Sequence, residues 1–334
     1  MVILATSTAE IMDLIKAGAN FSVNCADTGD TGMKFTVEIA RDNWTDDMTF
    51  GHYVYVPDTE LGGLITSKGT TTTLDYVTLS GATWRGMLNH KIIKPPAGED
   101  YYSVTGELNT VMKGLIEREF DGLFVVSTEN TGVSVSNYKF DRYCTLLDGL
   151  KAMLKSKSYR LDIKHKRDHT GLYVLVSAVP IVDYSAYIEM SQDNQLDFDM
   201  TDNRGGINHL VCLGSGELAN RTVVDLYCNG SGTISETQTY TGLNERAAVY
   251  EYSGADADEL RKSGKKKFKE LMNSKSFSMA IDDLGIEDIW IGDIVGGRDR
   301  LTGMYMAEPI GNVIYSIEDG VISKKYKLEG EMVT

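Results

Sequence analysis

Apolar and polar residues alternate along much of this chain. Phe35-Thr36-Val37-Glu38-Ile39 is the simplest case: every second side chain is apolar, as a strand with one face buried requires. Residues 53–56 and 76–79 are rich in aromatic and β-branched side chains, and turn signals at Pro57-Asp58, Gly62-Gly63 and Lys68-Gly69 separate the runs. Short, evenly spaced strands predict a small barrel or sandwich over residues 1–98, with a helical turn at 82–88 and a break at Pro95-Pro96. The period then changes. Leu108, Val111, Met112 and Leu115 share one face of a helix predicted over 105–116, and Leu146, Leu147, Leu150 and Leu154 share one over 144–154. Strands at 159–165 and 172–179 complete an α+β insert, residues 99–180. Residues 181–252 return to β pattern at 187–190, 196–200, 209–213 and 222–227. A charged helix over 256–272, capped by Ser253 or Asp256, opens the last segment, 253–334. The expected fold class is mainly β with an α+β insert.

One stretch near each end of the chain echoes the other. Residues 290–330 and 50–81 both open on an apolar residue and a glycine (Ile291-Gly292, Phe50-Gly51) and run into a short apolar strand. Each then turns near Leu301 or Leu61 and closes on a strand, at 326–330 or 76–81. The later copy is longer, by a hairpin between its last two landmarks. The match predicts two related β-units, against the alternative that short strand–turn–strand pieces coincide.

With 334 residues, more than one domain is expected, and 42% hydrophobic and 24% charged residues are the proportions of an ordinary globular protein. A formal net charge of −15 argues against nucleic acid and anionic membranes as partners. Cys25, Cys144, Cys212 and Cys228 form no Cys-x-x-Cys pair, so free thiols are expected. The N-terminus lacks the basic start and apolar run of a signal peptide, and no apolar run is long enough to span a bilayer.

Candidate chemistry is sparse. Gly214-Ser215-Gly216-Glu217-Leu218-Ala219 follows an apolar strand and fits Gly-x-Gly-x-x-Ala, which would hold a dinucleotide only where it opens a helix. Here Thr222 to Tyr227 alternates and is β-branched, so a glycine hairpin is expected. Asp27-Thr28-Gly29 and Asp30-Thr31-Gly32 copy the aspartic-protease triplet, but adjacent triplets in one turn cannot meet as a dyad. His165 and His169 have metal spacing only on a helix, and they flank a turn between strands; His52, His90 and His209 stand alone in sequence. Asp197, Asp199 and Asp202 lack the glycine and glutamate of a calcium loop and read as a solvated edge, with an ion at an oligomer interface as the alternative. The basic run 262–269 lies among acids and reads as an exposed helix face. No catalytic, cofactor-binding or metal-binding residue is assigned, and no cofactor is expected.

The order of landmarks resembles a family. Leu79-Ser80-Gly81-Ala82-Thr83-Trp84-Arg85-Gly86-Met87-Leu88-Asn89-His90-Lys91-Ile92-Ile93 is similar to the G-(R/x)-x-x-x-x-L-x-x-R-x-I passage of tail hub proteins of long-tailed phages, with Lys91 at the second basic position. Asn208 to Glu217, followed by Asn220-Arg221, resembles that family's central N-x-x-x-x-x-G-x-G-E…R hairpin. Ile291-Gly292-Asp293-Ile294-Val295 resembles its LGD-x-V strand, and Lys327-Leu328-Glu329-Gly330-Glu331 its last strand. The resemblance implies two tail-tube-like β-barrels linked by a helix-containing domain. It further implies a non-enzymatic baseplate hub, a homotrimer joining a sixfold tail tube to a threefold tip or spike. The expected partners are a tail tube or distal tail protein, a spike or tip protein and other baseplate proteins. The expected location is the baseplate of a virion or phage-tail-like particle, assembled in the bacterial cytoplasm. Bacteriocin particles and contractile injection particles share the architecture. With the chain ending soon after its last strand, no C-terminal wall-degrading domain is expected. An acidic surface facing the channel would suit passage of DNA. Two alternatives remain at this point: a dinucleotide-dependent enzyme using Gly214-Ser215-Gly216, and a cell-wall-acting tail hydrolase.

Overall fold

A computed structural model describes residues 1–26, 33–70, 73, 75–120, 122–185, 189–190, 197–203, 205–272, 274–282, 289–299 and 301–328. The protease-like triplets at 27–32 lie outside the described residues, as do 329–331 of the last motif. Strands dominate, with few helices, as the pattern of alternation predicts. The chain forms two compact units, one of residues 1–196 with 280–328 and one of residues 197–279.

In the first unit the chain begins with β1 (Ile3–Ala5), β2 (Glu10–Asp13), β3 (Asn20–Ala26), β4 (Lys34–Ala40), β5 (Tyr53–Tyr55), β6 (Gly62–Thr70) and β7 (Tyr76–Thr83). The six-residue helix α1 (Trp84–Asn89) follows, with its N-cap Thr83 accepting from the Gly86 amide. Alternation decides what is buried: in β4, Phe35, Val37 and Ile39 are inside and Thr36 and Glu38 are not.

The insert contains β8 (Ser103–Glu107), α2 (Leu108–Ile116), β9 (Phe124–Val126), β10 (Ser134–Lys139), α3 (Leu146–Lys155), β11 (Tyr159–Asp168) and β12 (Gly171–Pro180). The helix expected from residue 105 starts three residues later, because 103–107 pair with β10 instead. Glu107 ends that strand and caps the helix, accepting from the Thr110 amide at 2.8 Å. β11 and β12 pair from Tyr159↔Pro180 to Asp168↔Gly171, and β9 joins β12 in parallel. α2, α3 and this small sheet share one hydrophobic core with Ile3, Tyr55, Trp84 and Leu88 of the N-terminal segment.

The second unit holds β14 (Asp197–Asn203), β15 (His209–Leu213), β16 (Val223–Cys228), β17 (Ile234–Ser235), β18 (Ala247–Glu251) and α4 (Ala257–Leu271); β13 (Glu189–Met190) precedes it in the chain. The sheet order is β17-β16-β15-β18. α4 lays Leu260, Gly264 and Phe268 onto Leu210, Cys212, Val224 and Leu226. Asp256 caps it with a full capping box: its carboxylate accepts from the amides of Asp258 and Glu259, and Glu259 accepts from the Asp256 amide.

The chain returns to the first unit through β19 (Ser274–Asp282), whose last three residues pair with the final strand, and then β20 (Ile294–Arg298), β21 (Tyr305–Glu318) and β22 (Val321–Leu328). The large sheet of this unit runs β22-β21-β3-β4-β7-β6-β5-β1-β2, with β20 also on β21. No closed barrel forms among the described residues.

The sequence echo is a structural one. β5-β6-β7 and β20-β21-β22 are both antiparallel meanders, and the next neighbours, β4 on β7 and β19 on β22, also correspond. The middle strand of each breaks register at a matching place, between Ile65 and Ser67 in β6 and between Ile310 and Asn312 in β21. The extra length expected in the second copy as an added hairpin is instead a longer β21 within the same meander.

Candidate functional site

The most elaborate arrangement of charged side chains lies inside the first unit. Arg85, from α1, and Glu60, from the β5–β6 turn, are both almost fully buried and form an ion pair. Arg85 Nη2 donates to Glu60 Oε2 at 3.1 Å and to the Leu161 carbonyl of β11 at 3.0 Å. Trp290 Nε1 donates to the same Glu60 Oε2 at 2.7 Å. Burial pushes the Glu60 carboxyl upward against the pull of Arg85 and the Trp290 donor.

A second pair sits beside the first. Arg160 Nε donates to the buried Asp293 at 2.9 Å, and Arg160 Nη1 to Asp162 at 3.2 Å. Asp293 also accepts from the amides of Val182 and Trp290, both at 3.0 Å. The aspartate of the LGD-like motif is therefore an anchor that ties residues 290–293 to the insert. A cavity of about 500 Å³ opens alongside, with Ile163, Val179, Val182, Tyr184 and Trp290 in its walls. The carboxylates at its rim are held in ion pairs: Asp58 with Lys166 at 2.6 Å, Asp162 with Arg160 at 3.2 Å and with Lys164 at 3.5 Å. The arrangement holds parts of the unit together.

The glycine loop is a hairpin. β15 and β16 pair antiparallel on either side of it, so the helix that a dinucleotide fold requires is replaced by a strand. The Gly214 amide donates to the Thr222 carbonyl at 2.8 Å, and the Ser215 amide to that of Ala255 at 2.9 Å, so these amides are occupied. Each glycine has a packing reason. A Cβ on Gly214 would lie 2.6 Å from both the Ala255 carbonyl and Leu260 Cδ1. Gly216 has φ +93°, and a Cβ there would lie 2.3 Å from the Asn220 carbonyl.

His165 and His169 do not converge. His165 points into the core and stacks on Tyr55 with ring centroids 3.6 Å apart, while His169 is in the β11–β12 turn. The side chains of Asp197, Asp199 and Asp202 lie outside the described residues; the backbone at these positions is β14. The basic run 262–269 lies on α4, whose outer face carries Lys262, Lys265, Lys266 and Lys269, with Lys267 bound to Glu270 at 2.7 Å. The four cysteines are free thiols; burial pushes the Cys212 thiol up to about 11 and that of Cys25 well above its usual range, which leaves both poor nucleophiles.

His209, isolated in sequence, is not isolated in space. Its Nδ1 lies 2.7 Å from Glu245 Oε1 and its Nε2 2.8 Å from Asp225 Oδ1, and its ring stacks on Tyr227 at 4.3 Å. The β15–β16 and β15–β18 pairings bring these groups together from positions 16 and 36 residues away. The two carboxylates sit at different ring nitrogens, a clasp between strands and not a ligand set around one point. No group of three or more metal-ligating side chains occurs among the described residues.

At the level of sequence, neither a family model nor a curated protein matches the chain. Solved structures do match, over nearly its whole length. A 43 kDa tail protein of prophage MuSo2 from Shewanella oneidensis aligns with TM-score 0.56 at 12% identity, covering 98% of this chain and 97% of the other. A tail protein from Neisseria meningitidis MC58 aligns with TM-score 0.50 at 13% identity, over 99% and 98%. A chain of the phage P2 baseplate in its activated conformation aligns with TM-score 0.52 at 10% identity, over 93% and 87%. The fold is that of phage tail and baseplate proteins.

Proposed function

We propose that this chain is a structural component of a phage or phage-tail-like particle: a baseplate hub that forms a trimeric ring between a sixfold tail tube and a threefold tip or spike. The observation that carries the reading is the repeated strand plan, β4-β7-β6-β5 and β19-β22-β21-β20, inside a tail-protein fold. A chain with two equivalent meanders meets a sixfold partner with three copies, and a threefold partner with the same three. The proposed partners are therefore the tail tube or distal tail protein on one side and the spike or tip on the other, with other baseplate proteins around them. No enzymatic step is part of this role. The Arg160–Asp293 pair fixes the start of the second meander to the insert, and Glu60, paired with Arg85, holds Trp290 against the first, as a rigid adaptor needs.

The test is mass and shape in solution. Light scattering on the purified chain, alone and with its tube protein, should return three copies. A chain that stays a monomer in both conditions is incompatible with the proposal. A thermal-shift screen with NAD and NADP separates the dinucleotide alternative, for which a rise in Tm is required.

A further inference from the structure

In the second meander, one edge of the middle strand is filled twice. β20 takes residues 305–309 of β21 and β3 takes residues 312–317, while β22 holds the opposite edge. In the first meander, β5 takes residues 62–64 of β6, residues 51–52 bond to Ile65, and β7 holds the opposite edge. Past Ile65 the corresponding edge, residues 66–70, is exposed and carries no strand among the described residues. The matching register breaks place Ser67 where Asn312 stands, so this open stretch is the counterpart of the one that receives β3.

An unpaired edge is usually guarded by charge, proline or a bulge. Residues 66–70 read Thr-Ser-Lys-Gly-Thr, with a single charge, and the register break between Ile65 and Ser67 is no bar, because β3 pairs just past the matching break in β21. The Lys68 ammonium is drawn aside, 4.6 Å from the Trp44 ring centroid and 5.5 Å from that of Phe50.

We propose that a second copy of this chain completes this edge; the inference rests on the trimeric reading above and names its interface. The strand that fits is the second meander's counterpart of β3. β3 is the neighbour of β4, β4 corresponds to β19, and the remaining neighbour of β19 is β14, which ends the strand order. β14 of one copy adds antiparallel to residues 66–70 of the next, as β3 adds to β21 within the chain. β14 brings Asp197, Asp199 and Asp202 in sequence, opposite in sign to Lys68. The contact is head-to-tail, the kind that closes into a ring when the rotation permits.

Cysteines test it. A double variant carrying Ser67→Cys and Thr201→Cys, checked for wild-type circular dichroism, should give covalent trimers on mild oxidation. A mixture of the two single variants should stop at dimers, and each single variant alone should give neither. A double variant that is trimeric by light scattering but does not cross-link, with Asp199→Cys or Asn203→Cys tried in place of Thr201→Cys, overturns this interface and leaves the trimer standing. A chain that is monomeric throughout overturns the trimer, and this interface with it.

Discussion

His165 is 2% exposed, and neither ring nitrogen has a hydrogen-bond partner among the described residues. Burial holds its pKa down from 6.5 to about 4. Above pH 6.5 the imidazole is neutral in both states. Between 6.5 and about 4 the unfolded chain binds a proton that the folded chain refuses, so stability falls as the pH drops through that window. The full loss is about 3 kcal/mol, at about 1.4 kcal/mol per pH unit. His165→Phe keeps a ring against Tyr55 and removes both nitrogens, so denaturation midpoints followed from pH 7 to 4 should decline less steeply in the variant. Equal slopes would show that His165 is not the group responsible. The Glu60–Arg85 pair obeys a different rule, because removing one member strands the other. Arg85→Met should cost about 3–5 kcal/mol in urea unfolding. Glu60→Gln keeps an acceptor for Trp290 but strands the Arg85 guanidinium without a counter-charge, and should cost a similar amount.

At the scale of elements, α4 shows how one glycine sets a packing distance. Gly264 faces the sheet, and a Cβ there would meet Cys212 Sγ at 2.6 Å and Leu226 Cδ1 at 3.0 Å. Gly264→Ala should therefore destabilise by about 1–3 kcal/mol despite alanine's better helix propensity. Adding Cys212→Ala should return part of the loss, whereas independent, additive effects would mean the two do not meet. The cap of the same helix was only partly legible: the sequence leaves Ser253 and Asp256 open, and the structure takes Asp256, with Glu259 completing a capping box. Periodicity also located α2, α3 and the β11–β12 hairpin, because one buried face suffices to reveal them. It misplaced the start of α2, since pairing with β10 decides the fate of 105–107 and pairing with a strand so far along the chain leaves no local mark. The glycine loop was readable as a hairpin from the β-branched run that follows it.

At the scale of the whole molecule, the echo between residues 50–81 and 290–330 carried more information than any single motif. It survives as two meanders with the same neighbours and the same register break. Three things had no signature in the sequence: the His209 clasp, the joining of the two meanders through β3, and the buried tie from Glu60 to Trp290 across 230 positions. All depend on strands and loops distant in sequence meeting in space. No helix among the described residues is long and apolar enough to cross a membrane. The proposed assembly is a hub ring of three copies of this chain. Electron microscopy of the purified protein, or of tails assembled with it, tests this most directly. Class averages should show a ring with threefold symmetry and six similar lobes at its tube-facing end; a single-copy particle, or a ring of any other copy number, would contradict it.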